Sequence, residues 1–140
     1  MYRWIVTRLV RATWRKVDAG DVGAATNMAH PDITFRFVGD TELGADLRGA
    51  EAFANWFRQA GERLPGLRFT VRDVLVAGWP WNTRAAVRLE VAMDLPDGQT
   101  YRNEGVQWIR LRWGRLVDDW VLEDTLRLND LLESYRPVRG

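Results

Sequence analysis

The sequence predicts an α+β domain, with helices gathered in the first half of the chain and an antiparallel sheet in the second. Three observations carry this. Apolar residues recur at helical spacing within residues 2–18 and 50–63; from Leu67 the hydrophobic period falls to two and stays there to residue 123; and short turns rich in Gly, Pro and Asn separate the period-two segments. Consecutive strands joined by short turns form an antiparallel meander, and helices placed ahead of it in the chain cover one of its faces. The expected result is a curved sheet wrapped on helices.

Taken in order, residues 2–18 carry Ile5, Leu9, Ala12 and Val17 among Arg and Lys, an amphipathic helix that Gly20 stops. Asp21 suits the cap of a second short helix through Met28, and Pro31 ends it, because the residue before proline avoids the helical region. Residues 33–38 alternate as a strand. Three glycines and several acids make 39–49 a loop, and residues 50–63 follow as a helix with Phe53, Trp56, Phe57 and Ala60 on one face. Strands are expected at 67–77, 84–94, 100–112 and 115–123, punctuated by Trp79-Pro80-Trp81-Asn82 and Pro96-Asp97-Gly98, with a last short helix from Leu126 to Tyr135.

Length and composition bound the rest. With 140 residues, 46% of them apolar and eight Trp, the chain fits one domain over 1–140 with a core or an enclosed cavity. Twenty basic against nineteen acidic residues leave +1, so no global charge drives binding to nucleic acid or membrane, and neither partner is expected. Arg3, Arg8, Arg11, Arg15 and Lys16 nevertheless precede the first acid, Asp18; they read as a solvated helix face, with an anionic partner as the lesser reading. Without cysteine there is no disulfide framework and no thiolate chemistry, and one histidine, His30, makes no multi-histidine metal centre. His30 itself reads as a partner of the preceding helix dipole. No apolar run has membrane-spanning length, and the expected setting is the cytoplasm.

Alternation within 100–112 divides its residues between two faces. Tyr101, Asn103, Gly105, Gln107, Ile109 and Leu111 share the inward one; Glu104, Val106, Trp108, Arg110 and Arg112 share the other, where Arg88 and Glu90 of the neighbouring strand offer cross-strand ion pairs. Trp108 among those charges points to a face covered by a second subunit, hence a homodimer. Trp79 and Trp81 read as a turn cluster or a subunit contact.

Helix, helix, strand, helix and then a meander is the element order of the nuclear transport factor 2-like superfamily, which the chain resembles over nearly its whole length. Asp18-Ala19-Gly20-Asp21, His30-Pro31-Asp32, Gly49-Ala50-Glu51 and Gly114-Arg115-Leu116 with Trp120 and Asp124 carry the resemblance. Val74-Leu75-Val76, Trp81-Asn82-Thr83-Arg84 and Tyr101-Arg102-Asn103-Glu104-Gly105 look like its SnoaL-like, ketosteroid isomerase-related members. The resemblance implies a cone-shaped domain with an apolar pocket, and activities that range from isomerases, cyclases and hydrolases to non-catalytic binding modules. The positions that match the steroid isomerase base, tyrosine and oxyanion acid fall on Phe37 or Arg36, on Thr13 or Trp14, and near Gln107, all departures from that chemistry. The Arg-x-Asp pair of related epoxide hydrolases has no counterpart. The acid/base Asp near the end of the last strand in polyketide cyclases of the SnoaL type does match Asp124.

Asp124 accordingly has two readings, as the cap of the helix that follows and as a proton-transferring acid. In the second, Tyr101, Asn103 and Gln107 position the carbonyl oxygen of a small hydrophobic or polycyclic ligand, and Trp56, Phe37 and Trp120 form walls. Isomerisation, cyclisation or hydrolysis of this kind requires no cofactor and no metal. Asp118 and Asp119, just beyond a turn, read as solvated.

Overall fold

The computed structural model describes residues 1–137, and its ten elements follow the expected order except for one additional short strand ahead of the third helix. Helix α1 (Tyr2–Asp18) buries Val6 and Val10, with Tyr2 and Trp14 packed beside them, while Ile5 and Leu9 are exposed. Ile5/Leu9 and Val6/Val10 are equally valid i, i+4 series; the bulk of Tyr2 and Trp14 on the second decides which one meets the sheet. Arg15 and Lys16 in the last turn suit the negative end of the helix dipole, and the Asp18 carboxylate accepts the Phe69 N–H at 2.8 Å, tying that end down.

Helix α2 (Gly23–Thr26) is a single turn without a side-chain cap, so Asp21 does not have the capping role expected of it. Strand β1 (Ala29–Phe37) already includes His30, whose Nδ1 accepts the Asp32 N–H at 3.0 Å instead of facing a helix end. Within the expected 39–49 loop, β2 (Ala45–Arg48) pairs antiparallel with β1, and Gly49, at φ 101°, turns the chain into α3 (Ala50–Arg63). Strands β3 (Arg68–Trp79), β4 (Asn82–Asp94), β5 (Thr100–Arg112) and β6 (Arg115–Glu123) form the meander, and α4 (Thr125–Ser134) buries Leu128, Leu131 and Leu132.

The six strands lie in one sheet ordered β2-β1-β6-β5-β4-β3, antiparallel except where β1 runs parallel to β6. That parallel pair brings Phe35 opposite Asp119 and Phe37 opposite Val121. The same face is aromatic: α3 lays Phe53 and Trp56 on Phe35 with ring centroids 5.1 and 4.7 Å apart, and Trp56 reaches Phe37 at 5.0 Å. Such tilted pairs fix ring positions as well as burying area.

On the outer face, Glu90 pairs with Arg72 and Asp94 with Arg68, both partners on β3; Arg88, Glu104, Arg110 and Arg112 form no ion pair among the described residues, contrary to expectation. The register instead lines Leu75, Ala86, Trp108 and Trp120 across four strands of that face. Phe53 has no exposed surface and supports the aromatic frame, so Phe53→Ala should cost about 3–5 kcal/mol in urea unfolding, with a loss below 1 kcal/mol showing that the frame collapses around the missing ring.

Candidate functional site

A cavity of about 200 Å³ lies between α1, α3 and the inner face of the sheet. Phe35, Phe37, Trp56, Leu89 and Val121 make it largely apolar, and two polar stations interrupt the lining: Trp14, Gln107 and Asp119 at one, Tyr101 and Glu123 at the other.

A bulge in β6 creates both stations. Leu111 pairs with Leu116 and Arg110 with Asp118, which leaves Val117 as an extra residue against β5. One inserted residue reverses the facing of everything after it. Leu116 is buried, and beyond the bulge it is Asp119, Val121 and Glu123 that line the cavity. Asp119 is 2% exposed, so the expectation that it is solvated is wrong. Trp120 is turned to the outer face, directly across from Trp108, and is not a cavity wall. Simple alternation from Leu116 would have put Asp118 and Trp120 inside.

Asp124 also lies elsewhere. Its side chain is 46% exposed, accepts the Arg127 N–H at 3.3 Å as the cap of α4, and stands 3.6 Å from the Arg127 guanidinium. The capping reading accounts for it, since one residue past Glu123 the chain has already left the strand and points away from the cavity.

At the first station Trp14 Nε1 donates to Gln107 Oε1 at 3.0 Å, and Gln107 Nε2 donates to Asp119 Oδ1 at 3.0 Å. An indole N–H can only donate, so it holds the Gln107 carbonyl and turns the amide N–H toward the acid. Burial pushes the Asp119 carboxyl up to about 7; the Gln107 hydrogen bond opposes this, and the nearby Asp118 charge adds to it. The other Asp119 oxygen accepts no hydrogen bond among the described residues.

At the second station burial pushes Glu123 up to about 7 as well, and Tyr101, desolvated and near Glu123, is pushed up to about 12 and stays protonated. Tyr101 Oη accepts from Asn103 Nδ2 at 2.8 Å, which leaves its own O–H free to donate into the cavity. The same Asn103 nitrogen donates to the Asp124 carbonyl at 3.0 Å and its oxygen accepts the Glu104 N–H. Asn103 thus positions Tyr101 from outside the cavity and does not line it. Gly105 pairs with Glu123, and a Cβ there would come within 2.6 Å of the Leu122 carbonyl and 2.9 Å of Glu123 Cγ, so only glycine lets the acid lie across β5. With about 3.3 Å of rise per residue, Asp119 and Glu123 sit about 13 Å apart along one strand face.

Of the residues singled out from sequence, Tyr101, Gln107, Trp56 and Phe37 meet at the cavity, with Trp56 held by a 2.9 Å hydrogen bond to the Leu43 carbonyl; Asn103, Trp120 and Asp124 do not. Asp119, Glu123 and Trp14 were missed. Among the described residues no group of three His, Cys, Asp or Glu is placed to hold a metal ion, and no helix is long and apolar enough to cross a membrane.

A sequence model of the SnoaL-like domain matches residues 10–119, most of the chain. The protein belongs to the SnoaL-like domain family. Solved structures agree on the fold. A proposed polyketide cyclase from Xanthomonas campestris superposes with a TM-score of 0.67 at 20% identity, covering 94% of this chain and 99% of its own. An NTF2-like protein of unknown function from Burkholderia pseudomallei gives 0.74 at 16% identity, covering 91% and 97%. TerC, co-crystallised with polyporic acid, gives 0.70 at 20% identity, covering 91% and 98%. None of the curated proteins matches this SnoaL-like chain in sequence.

Because the folded Asp119 binds its proton more tightly than the ordinary carboxylate value of 3.8, its contribution to stability is full below about pH 4 and is lost as pH rises through about 7. Glu123, also pushed up to about 7, adds a similar share, so urea unfolding between pH 5 and 8 should show stability falling with pH by about 4–6 kcal/mol, and Asp119→Asn, which keeps an acceptor for Gln107, should remove about half of that slope. An unchanged slope in the variant would mean that Asp119 is ionised throughout.

Proposed function

We propose that this SnoaL-like protein binds a small carbonyl compound in the cavity and moves protons on it without a cofactor, with Asp119 and Glu123 as the acid and base. The observation that carries the reading is Asp119: almost fully buried, hydrogen-bonded on one oxygen only, and poised near neutrality at the wall of an apolar cavity. Ionised Glu123 removes a proton from the carbon beside a ligand carbonyl at its own end of the cavity, and the C–H electron pair becomes the enol double bond. Asp119, about 13 Å along the strand, donates in its acid form to the oxygen of a second carbonyl at the other end. Return of the proton at another carbon completes an isomerisation; attack of the enol carbon on a second carbonyl completes a cyclisation. Tyr101 offers a further donor to ligand oxygen near Glu123.

Size narrows the ligand. Pockets for drug-sized molecules run from about 300 Å³ upward, and a dry cavity of about 150 Å³ holds benzene. Some 200 Å³ suits one or two rings better than a polycycle. The fold similarity to a proposed polyketide cyclase and to TerC with its bound polyporic acid is consistent with carbonyl-bearing ligands. The competing reading is a binding module in which the Trp14–Gln107–Asp119 string serves recognition alone. It is favoured by the way both Asp119 and Gln107 are already engaged inside the protein.

The reading extends to a homodimer formed through the outer face, where Val106, Trp108 and Leu122 are exposed beside Trp120, and to a setting in the cytoplasm, with which a cysteine-free chain is compatible. Light scattering should then give twice the chain mass, and Trp108→Asp should give a folded monomer; a wild-type monomer at 100 µM or so sinks the dimer.

Chemistry is tested by deuterium exchange at the carbon beside the carbonyl of 2-tetralone, a bicyclic ketone, followed by NMR in heavy water. Glu123→Gln should slow exchange by about 10²–10⁴-fold, and Asp119→Asn by less, while ligand-induced Trp fluorescence changes persist, and Asp124→Ala should leave the rate within a few-fold while costing about 1 kcal/mol of stability. Binding without exchange by the wild type would favour the binding module.

A further inference from the structure

One end of the molecule is unlike the rest. The β3–β4 turn presents Trp79 and Trp81, 64% and 55% exposed and stacked on each other at 6.1 Å with 13° between ring planes. The β5–β6 turn adds Trp113, 69% exposed and 6.2 Å from Trp81, with its N–H bonded to the Pro80 carbonyl. Helix α1 begins at the same end, since Tyr2 is hydrogen-bonded to Thr83, and its first turns expose Met1, Trp4 and Ile5. Burial in the fold explains none of these side chains. Trp113 even occupies a turn position at φ 50°, followed by Gly114 at 77°, where Asn or Gly is the ordinary choice.

Three segments at this end carry charge of one sign. Residues 1–17, 74–89 and 105–117, the segments that converge here, contain no Asp or Glu. Arg3, Arg84, Arg112 and Arg115 are exposed and form no ion pair among the described residues, and Arg8 lies over the Trp4 ring at 4.8 Å. Exposed Trp rings flanked by unpaired arginines and aliphatic side chains match the boundary between lipid headgroups and acyl chains, where an indole is half wet and half dry and each basic residue meets a phosphate.

We propose that this end, built from the first turns of α1 and the Trp79–Trp81 and Trp113 turn tips, docks the protein on a bilayer surface carrying anionic lipids. A second copy of the chain fits less well, because a two-fold contact would set these arginines against themselves. A nucleic acid fits less well because the surface consists of turn tips and a helix end, and Trp79 and Trp81 already stack on one another instead of standing apart to receive bases. The sequence alone keeps this hidden: its overall charge is near zero, and the three segments are far apart in the chain. The docking surface is separate from the cavity, so it brings the cavity to a membrane where apolar small molecules concentrate.

Co-sedimentation with vesicles of phosphatidylcholine alone, and with about one-third phosphatidylglycerol, tests this on the full chain. Binding is expected to the anionic vesicles only, with a blue shift of Trp emission, and to weaken steeply with added salt. Trp79→Ala/Trp81→Ala/Trp113→Ala should abolish it. Arg84→Gln/Arg112→Gln/Arg115→Gln should weaken it about a hundredfold, at roughly fivefold per arginine, with circular dichroism unchanged in both. No binding to anionic vesicles at low salt overturns the proposal. So does equal binding to neutral vesicles, full binding by the Trp triple variant, or an end that proves to bind a single-stranded oligonucleotide or a second copy instead of vesicles.

Discussion

A single extra residue in the last strand decides what this protein can do chemically. With Val117 bulged out of the β5–β6 ladder, the side chains after it exchange faces, and Asp119 and Glu123 enter the cavity while Trp120 leaves it. Without the bulge the inner face of β6 would continue from Leu116 to Asp118, Trp120 and Leu122, and the cavity would be plugged by an indole instead of lined by two acids. Gly105, across from Glu123, is the complementary device, because the room that the acid occupies is the room a Cβ would take.

Desolvation then supplies the chemistry. The walls are aromatic because α3 stacks Phe53, Trp56 and Phe57 on β1, and β1 runs parallel to β6, which sets that apolar layer against the acids. A carboxylate in such surroundings loses hydration that one amide hydrogen bond replaces only in part, so the proton is held to about neutrality. The Trp14–Gln107 pair sets the direction of that one hydrogen bond, and Asn103 sets the direction of the Tyr101 hydroxyl. Helix and sheet thus each contribute a positioning group behind the groups that face the cavity.

Much of the fold was legible from residues. Helical spacing in 2–18 and 50–63, period two from Leu67, and the turns at Pro80 and Gly98 placed the main elements, and the inner face of β5 was read correctly from Tyr101 to Leu111. The failures share a cause. Ile5/Leu9 and Val6/Val10 are indistinguishable by period, and only tertiary packing chooses between them; β2 was lost in a loop of glycines and acids because its four residues pair with β1 through backbone. At the site, alternation located Tyr101 and Gln107 but mistook Trp120 and the acids, since nothing in Leu116-Val117-Asp118-Asp119 announces a bulge. Asp124 was legible in its bland role: an acid ahead of Thr125-Leu126 at a strand end caps a helix.

The proposed chemistry requires Asp119 to hold a proton near neutrality inside the cavity. Carbon-detected NMR of the carboxyl groups, titrated from pH 4 to 9 and assigned through Asp119→Asn, measures that directly. An Asp119 midpoint near 7 is expected; a midpoint at the ordinary value near 4 would contradict the proposed chemistry, since a fully ionised acid there cannot donate a proton to a bound carbonyl oxygen.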